Sequence, residues 1–211
     1  SSYGYNIYHA DLNNDGYQDI IDVSSLGNSK FILSDGLWWY TTGSLSITWI
    51  ELGIEDFDND GDLDIFSPWY WYNSPTKIFL NNGTWLFSGH IIESYQYWYG
   101  PIANIKIIDF NNDGLMDVIW SHAPFGGSIW PGRVFLNMWS WVFRLISYDQ
   151  SATNYIQWSS SQATTGADID NDGDIDIIVW WTRIWQNRPS SIYINQGDEN
   201  FSFLMLPTTN N

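Results

Sequence analysis

One nine-residue pattern occurs four times in this chain: DLNNDGYQD from Asp11, DFDNDGDLD from Asp56, DFNNDGLMD from Asp109 and DIDNDGDID from Asp168. Each copy reads Asp-x-Asx-Asn-Asp-Gly-x-x-Asp, and successive copies begin 45, 53 and 59 residues apart. Self-similarity on that scale implies one supersecondary unit per repeat, with loops of variable length between them. The spacing is that of a propeller blade.

Around each copy the apolar residues alternate with a period of two. Ile7-Tyr8-His9-Ala10, Ile50 to Ile54, Ile105 to Ile108 and Thr165 to Ala167 precede the four loops. Ile20-Ile21-Asp22-Val23, Ile65-Phe66, Val118-Ile119-Trp120 and Ile177-Ile178-Val179-Trp180 follow them. Such β-branched and aromatic runs predict strands joined by the acidic loop. A second partial repeat comes after each, as KFILSDG, KIFLNNGTWLF, RVFLNMWSWVF and SIYINQGDENFSF, and reads as a third strand, a turn and a fourth strand. No segment sustains a helical period between its Gly, Pro and Asn residues. The expectation is an all-β chain, a β-propeller of four four-stranded blades, either closed on itself or part of a larger propeller or assembly. One domain is expected over residues 1–211, with repeats near 1–50, 51–101, 102–162 and 163–211.

The same loops suggest a metal. Six to eight oxygen ligands suit Ca2+, and carboxylates alternating through a tight turn aim several side chains at one centre. The sixth-position Gly permits that turn. The predicted ligands are Asp11, Asn13, Asp15 and Asp19 with the Tyr17 carbonyl; Asp56, Asp58, Asp60 and Asp64 with Asp62 at the carbonyl position; Asp109, Asn111, Asp113 and Asp117 with Leu115; and Asp168, Asp170, Asp172 and Asp176 with Asp174. About four Ca2+ are expected.

Charge points the same way. Twenty-four acidic residues face seven Lys and Arg, a formal charge of −17, and sixteen of the acids lie in the four loops. So dense a cluster repels itself without a counterion, and four Ca2+ would change −17 to −9. The balance argues against nucleic acid and anionic membranes as partners. No apolar run reaches the length of a membrane-spanning helix, so membrane insertion is not expected. With no cysteine, a thiolate zinc site and a cysteine nucleophile are excluded. Polar hairpin turns also favour Asp, Asn and Gly, but four copies of a nine-residue pattern exceed what turns require. An EF-hand or dockerin-like loop would need an acid at the twelfth position, where Asp22, Ser67, Trp120 and Val179 stand. Mg2+ suits these ligand-rich loops less well, because it keeps a rigid, largely hydrated octahedron.

Together with FLNNG at Phe79 to Gly83, and weaker forms at Phe135 to Asn137 and Tyr193 to Gly197, the loops resemble the FG-GAP and VCBS repeat family. That family includes integrin α-subunit propellers, certain fungal lectins and many secreted bacterial proteins. The resemblance spans nearly the whole chain and implies a calcium-stabilised propeller acting outside the cell or at its surface, in adhesion or ligand recognition. Two departures stand out. Family propellers often have seven blades where this chain supplies four. Trp38, Trp85 and Trp139 also stand where the family favours Gly or a small residue.

Aromatic residues make up 18% of the chain, fifteen of them Trp. In an up-and-down blade, the connection after the second strand emerges opposite the acidic loop. Those connections hold Trp69, Trp71, Trp130, Trp181 and Trp185, with His122 and Arg183 as polar companions. They are the candidate surface for a glycan or an extracellular protein, in a lectin-like role. Self-assembly into an extracellular filament or matrix is the alternative. A hydrolase or lyase is not expected: the clustered carboxylates are committed to metal, only three His exist and no nucleophile motif occurs.

Overall fold

A computed structural model of the chain describes residues 5–24, 29–37, 39–47, 51–68, 75–93, 102–122, 133–146, 163–180, 190–197 and 201–206. They form four antiparallel four-stranded sheets, each confined to one sequence repeat. The first holds β1 (Tyr5–Ala10), β2 (Asp19–Ser24), β3 (Ser29–Ser34) and β4 (Tyr40–Leu45), and the second β5 (Gly53–Glu55), β6 (Asp64–Ser67), β7 (Thr76–Leu80) and β8 (Ser88–Glu93). The third holds β9 (Ile102–Ile108), β10 (Asp117–His122), β11 (Arg133–Trp139) and β12 (Val142–Leu145). The fourth holds β13 (Ala163–Ala167), β14 (Asp176–Trp180), β15 (Ser191–Asn195) and β16 (Phe201–Met205). Strand order follows chain order in every sheet, the simple meander of a propeller blade. The all-β, four-by-four reading of the sequence is therefore what the structure shows.

By internal contacts the chain falls into two compact units, one carrying the first two sheets and the other the last two. In the first unit, Ile21, Val23, Phe31 and Leu33 of the first sheet pack with Leu52, Ile65 and Phe79 of the second. In the other unit, Ile119, Val134 and Leu136 pack with Ile177, Val179 and Tyr193.

Burial follows strand position. β2 and β3 alternate buried and open residues, as strands with one covered face should, whereas all of β6 and the first five residues of β11 are buried. The fourth strands β4, β8 and β12 are largely open. Register fixes one recurrent contact. Phe31 lies opposite Gly43 and Phe79 opposite Gly89, and a Cβ on Gly43 would stand 1.9 Å from the Phe31 ring. The missing side chain makes room for the aromatic ring across the strand pair. Within the first unit, the Tyr8 phenol oxygen accepts the Leu52 N–H at 3.0 Å, tying β1 to the segment that leads into β5.

Candidate metal centre

Each acidic loop joins the first strand of its sheet to the second, and the four loops share one backbone fold. The fourth-position Asn14, Asn59, Asn112 and Asn171 hold φ between 55° and 60°, and the sixth-position Gly16, Gly61, Gly114 and Gly173 hold φ between 86° and 97°. Both values lie in the left-handed region that Asn tolerates and Gly adopts freely. The reversal so produced brings the first Asp over the loop. Asp56 accepts the N–H groups of Asp60 at 3.1 Å and Gly61 at 2.9 Å. Asp11 and Asp109 make the same pair of bonds, and Asp168 accepts from Gly173. The fifth-position Asp15, Asp60, Asp113 and Asp172 each accept the N–H two residues on, at 2.8 to 2.9 Å.

The ninth-position Asp19, Asp64, Asp117 and Asp176 are fully buried. One oxygen of each accepts the N–H of the second loop residue, and the other accepts an N–H just where the third strand ends. For Asp64 these donors are Phe57 at 2.9 Å and Asn81 at 2.8 Å; for Asp117 they are Phe110 at 2.9 Å and Asn137 at 2.6 Å. Asp19 takes Leu12 and Ser34, and Asp176 takes Ile169 and Asn195. This carboxylate therefore stitches the loop to its own sheet as well as facing the loop centre. Burial pushes Asp64 and Asp117 up to about 7, against the pull of their backbone donors, and neighbouring loop carboxylates add to the rise. Asp19 is raised for the same leading reason.

Two of the loops bring three carboxylates to one point. Ligand atoms of Asp56, Asp58 and Asp64 lie within 4.8 Å of one another, as do those of Asp168, Asp170 and Asp176. In the first of these clusters Oδ1 of Asp58 is buried and has no hydrogen-bond partner. Burial, and then the charges of Asp60 and Asp56, raise the Asp58 carboxyl above its ordinary value. A buried acceptor without a donor, among like charges, is the situation a hard cation relieves. The oxygen-only donor set fits Ca2+, whose bound charge would offset the carboxylate repulsion.

The other two loops differ at their third position, where Asn13 and Asn111 replace Asp. Each turns its amide nitrogen onto the fifth-position carboxylate, Asp15 or Asp113, at 3.0 Å. At the seventh position the side chains diverge. Tyr17 lays its ring against Gly36, Asp62 meets Gly83 and Asn14, Leu115 is buried, and Asp174 approaches Gly197. The Asp62 side chain faces the neighbouring loop.

Three features of the site lay outside the sequence reading. The second loop position is a hydrophobic anchor, with Leu12, Phe57 and Phe110 almost fully buried and Ile169 at 43% exposure. The Asn in the FLN motif closes the loop onto the third strand through its backbone N–H. The fourth-position Asn reaches a second loop, with Asn14 Nδ2 donating to Gly61 O at 3.2 Å and Asp62 Oδ1 at 2.6 Å, and Asn112 Nδ2 donating to Gly173 O. A signal for the first and third was present, because an apolar residue fills the second position in all four copies and Asn fills the fourth.

Of the aromatic candidates, Trp69, Trp71, Trp130, Trp181, Arg183 and Trp185 lie outside the described residues, and His122 is the last residue of β10. Trp180, at the end of β14 away from its acidic loop, is exposed. Trp39, Trp85 and Trp141, in the turns between third and fourth strands, and Trp139, at the end of β11, are also exposed, beside the acidic loops rather than opposite them. Trp85 adopts φ 61°, which explains why a small residue suits that position.

Comparison with curated proteins gives no match to this chain. Residues 56–120, which carry the second and third acidic loops, match the family model of the FG-GAP-like repeat.

Proposed function

We propose that this chain is a calcium-binding recognition module of the cell exterior, without enzymatic activity, that holds about four Ca2+ in its acidic loops and presents aromatic surface to a glycan or protein. The observation that carries the metal reading is the convergence of Asp56, Asp58 and Asp64 within 4.8 Å around a buried Asp58 oxygen that has no donor. Asp168, Asp170 and Asp176 repeat the arrangement. The first and third loops would bind more weakly, because Asn13 and Asn111 reduce ligand charge and spend their amides inside the loop.

Support for a recognition role comes from the FG-GAP-like stretch and from exposed aromatics at both ends of the blades, Trp39 and Trp85 beside the loops and Trp180 away from them. Rings open to solvent suit stacking on sugars or a protein interface. The same exposed rings, together with the open fourth strands, favour, as a second reading, self-association into an extracellular assembly.

The test is a thermal melt with Ca2+ and with EDTA, paired with a calorimetric Ca2+ titration. Each occupied site should add about 2.7 kcal/mol at a hundredfold excess over its Kd, so EDTA should lower the melting temperature clearly. Superimposable melts and no heat of binding would refute the metal reading. Binding of a monomer on a glycan array supports recognition; concentration-dependent polymerisation without ligand supports the second reading.

A further inference from the structure

We infer that the acidic loops work in pairs, the first with the second and the third with the fourth, and that Asn14 and Asn112 are the positioning residues that couple each pair. The inference rests on the calcium reading above.

The bond that carries it recurs in both compact units. Asn14 donates to the Gly61 carbonyl and to the Asp62 carboxylate, and Asn112 donates to the Gly173 carbonyl, so the fourth residue of one loop holds the sixth residue of the next. These asparagines stand at φ 55° and 56°, where glycine would be the simpler choice for the turn alone. Asn59 and Asn171 adopt the same backbone, and at Asn14 and Asn112 the amide in addition reaches the neighbouring loop. Gly61 holds φ 95° and follows Asp60 in the segment that Asp56 gathers through two backbone N–H groups. Fixing its carbonyl fixes the reversal on which the second cluster depends.

Beneath this contact lies a rigid frame. Asp19 Oδ2 accepts the Leu12 N–H at 2.8 Å, the Leu12 carbonyl accepts Asn81 Nδ2 at 2.6 Å, and the Asn81 N–H donates to Asp64 Oδ1 at 2.8 Å. All four residues are buried, so a continuous chain of buried hydrogen bonds links the ninth-position carboxylates of the first and second loops. On that frame the Asn14 contact is the part that loop order can make or lose. An ion that orders one loop sets this contact, and its neighbour then needs less ordering to bind. The coupling is positive, against the direct repulsion between two cations.

Site-resolved NMR titration of the full chain with Ca2+ tests this, reading the first loop through the Gly16 amide and the second through the Gly61 amide. Disabling the second loop with Asp56→Asn and Asp58→Asn should weaken Ca2+ binding at the first by about fivefold or more. In an Asn14→Gly background, which keeps the left-handed backbone, the same disabling should change it by less than about twofold. A melt in EDTA checks that Asn14→Gly folds as the parent does. Equal losses in both backgrounds, no loss in either, or tighter first-loop binding when the second is disabled would overturn the pairing while leaving calcium binding intact. If neither amide moves with Ca2+ in the parent chain, the calcium reading itself falls, and the pairing with it.

Discussion

At the residue scale, aspartates at different positions of the acidic loops have different work. Asp58 leaves an oxygen buried without a donor, whereas Asp117 has both oxygens taken by the Phe110 and Asn137 N–H groups. The first is arranged to receive something; the second already closes the backbone. Asp58→Asn should therefore weaken ion binding at its loop towards the level of the first and third loops, which carry Asn13 and Asn111 there, and leave stability in EDTA almost unchanged. Asp117→Ala strands two buried donors and should cost about 3 kcal/mol even in EDTA. Urea denaturation of both variants with chelator present separates the roles. Equal losses would show that the two aspartates do not differ in this way.

At the element scale, each loop is a strand connection that only its neighbours can hold in place. The left-handed Asn and Gly set the reversal, the second residue anchors it below, and the ninth Asp ties it to the end of the third strand. Phe57 is fully buried under its loop, while Ile169 at the equivalent place is 43% exposed. Phe57→Ala should cost about 3 to 5 kcal/mol, and Ile169→Ala less than about half of that, as read by chemical denaturation. Similar losses would mean that the second position matters for strand propensity rather than for packing. The fourth strands β4, β8 and β12 are open because no described layer covers their outer face.

At the scale of the whole molecule, charge dominates. In the metal-free chain Asp64 and Asp117 protonate near pH 7 rather than at the ordinary 3.8, because folding removes their carboxylates from water. The folded state then binds protons more tightly than the unfolded state does. Their penalty is absent below the ordinary value, grows as pH rises and is complete above about 7, so stability from these two groups falls with pH. In EDTA the melting temperature should accordingly drop between about pH 5 and pH 7.5. With saturating Ca2+ the trend should reverse, since protons and the ion compete for the same oxygens. A metal-free melt that rises over this range would contradict the assignment of buried, ion-seeking carboxylates.

Much of this was legible in the residues themselves. Period-two patterning, with turn residues at fixed offsets, is a local property, so sixteen strands in four meanders followed from it. The acidic loops announced themselves by repetition, and their glycines by the turn they must make. What sequence alone determined was thus the kind of each element and the chemistry of each loop. Tertiary structure decided which atoms remain available. It closed the ninth aspartates onto backbone donors and left an oxygen of Asp58 bare. It also sent the Asp62 side chain and Asn14 towards one another rather than inward. Those outcomes depend on contacts between residues far apart in the chain, such as Asn14 with Gly61 and Asn81 with Leu12, and a local pattern carries no record of distance in space.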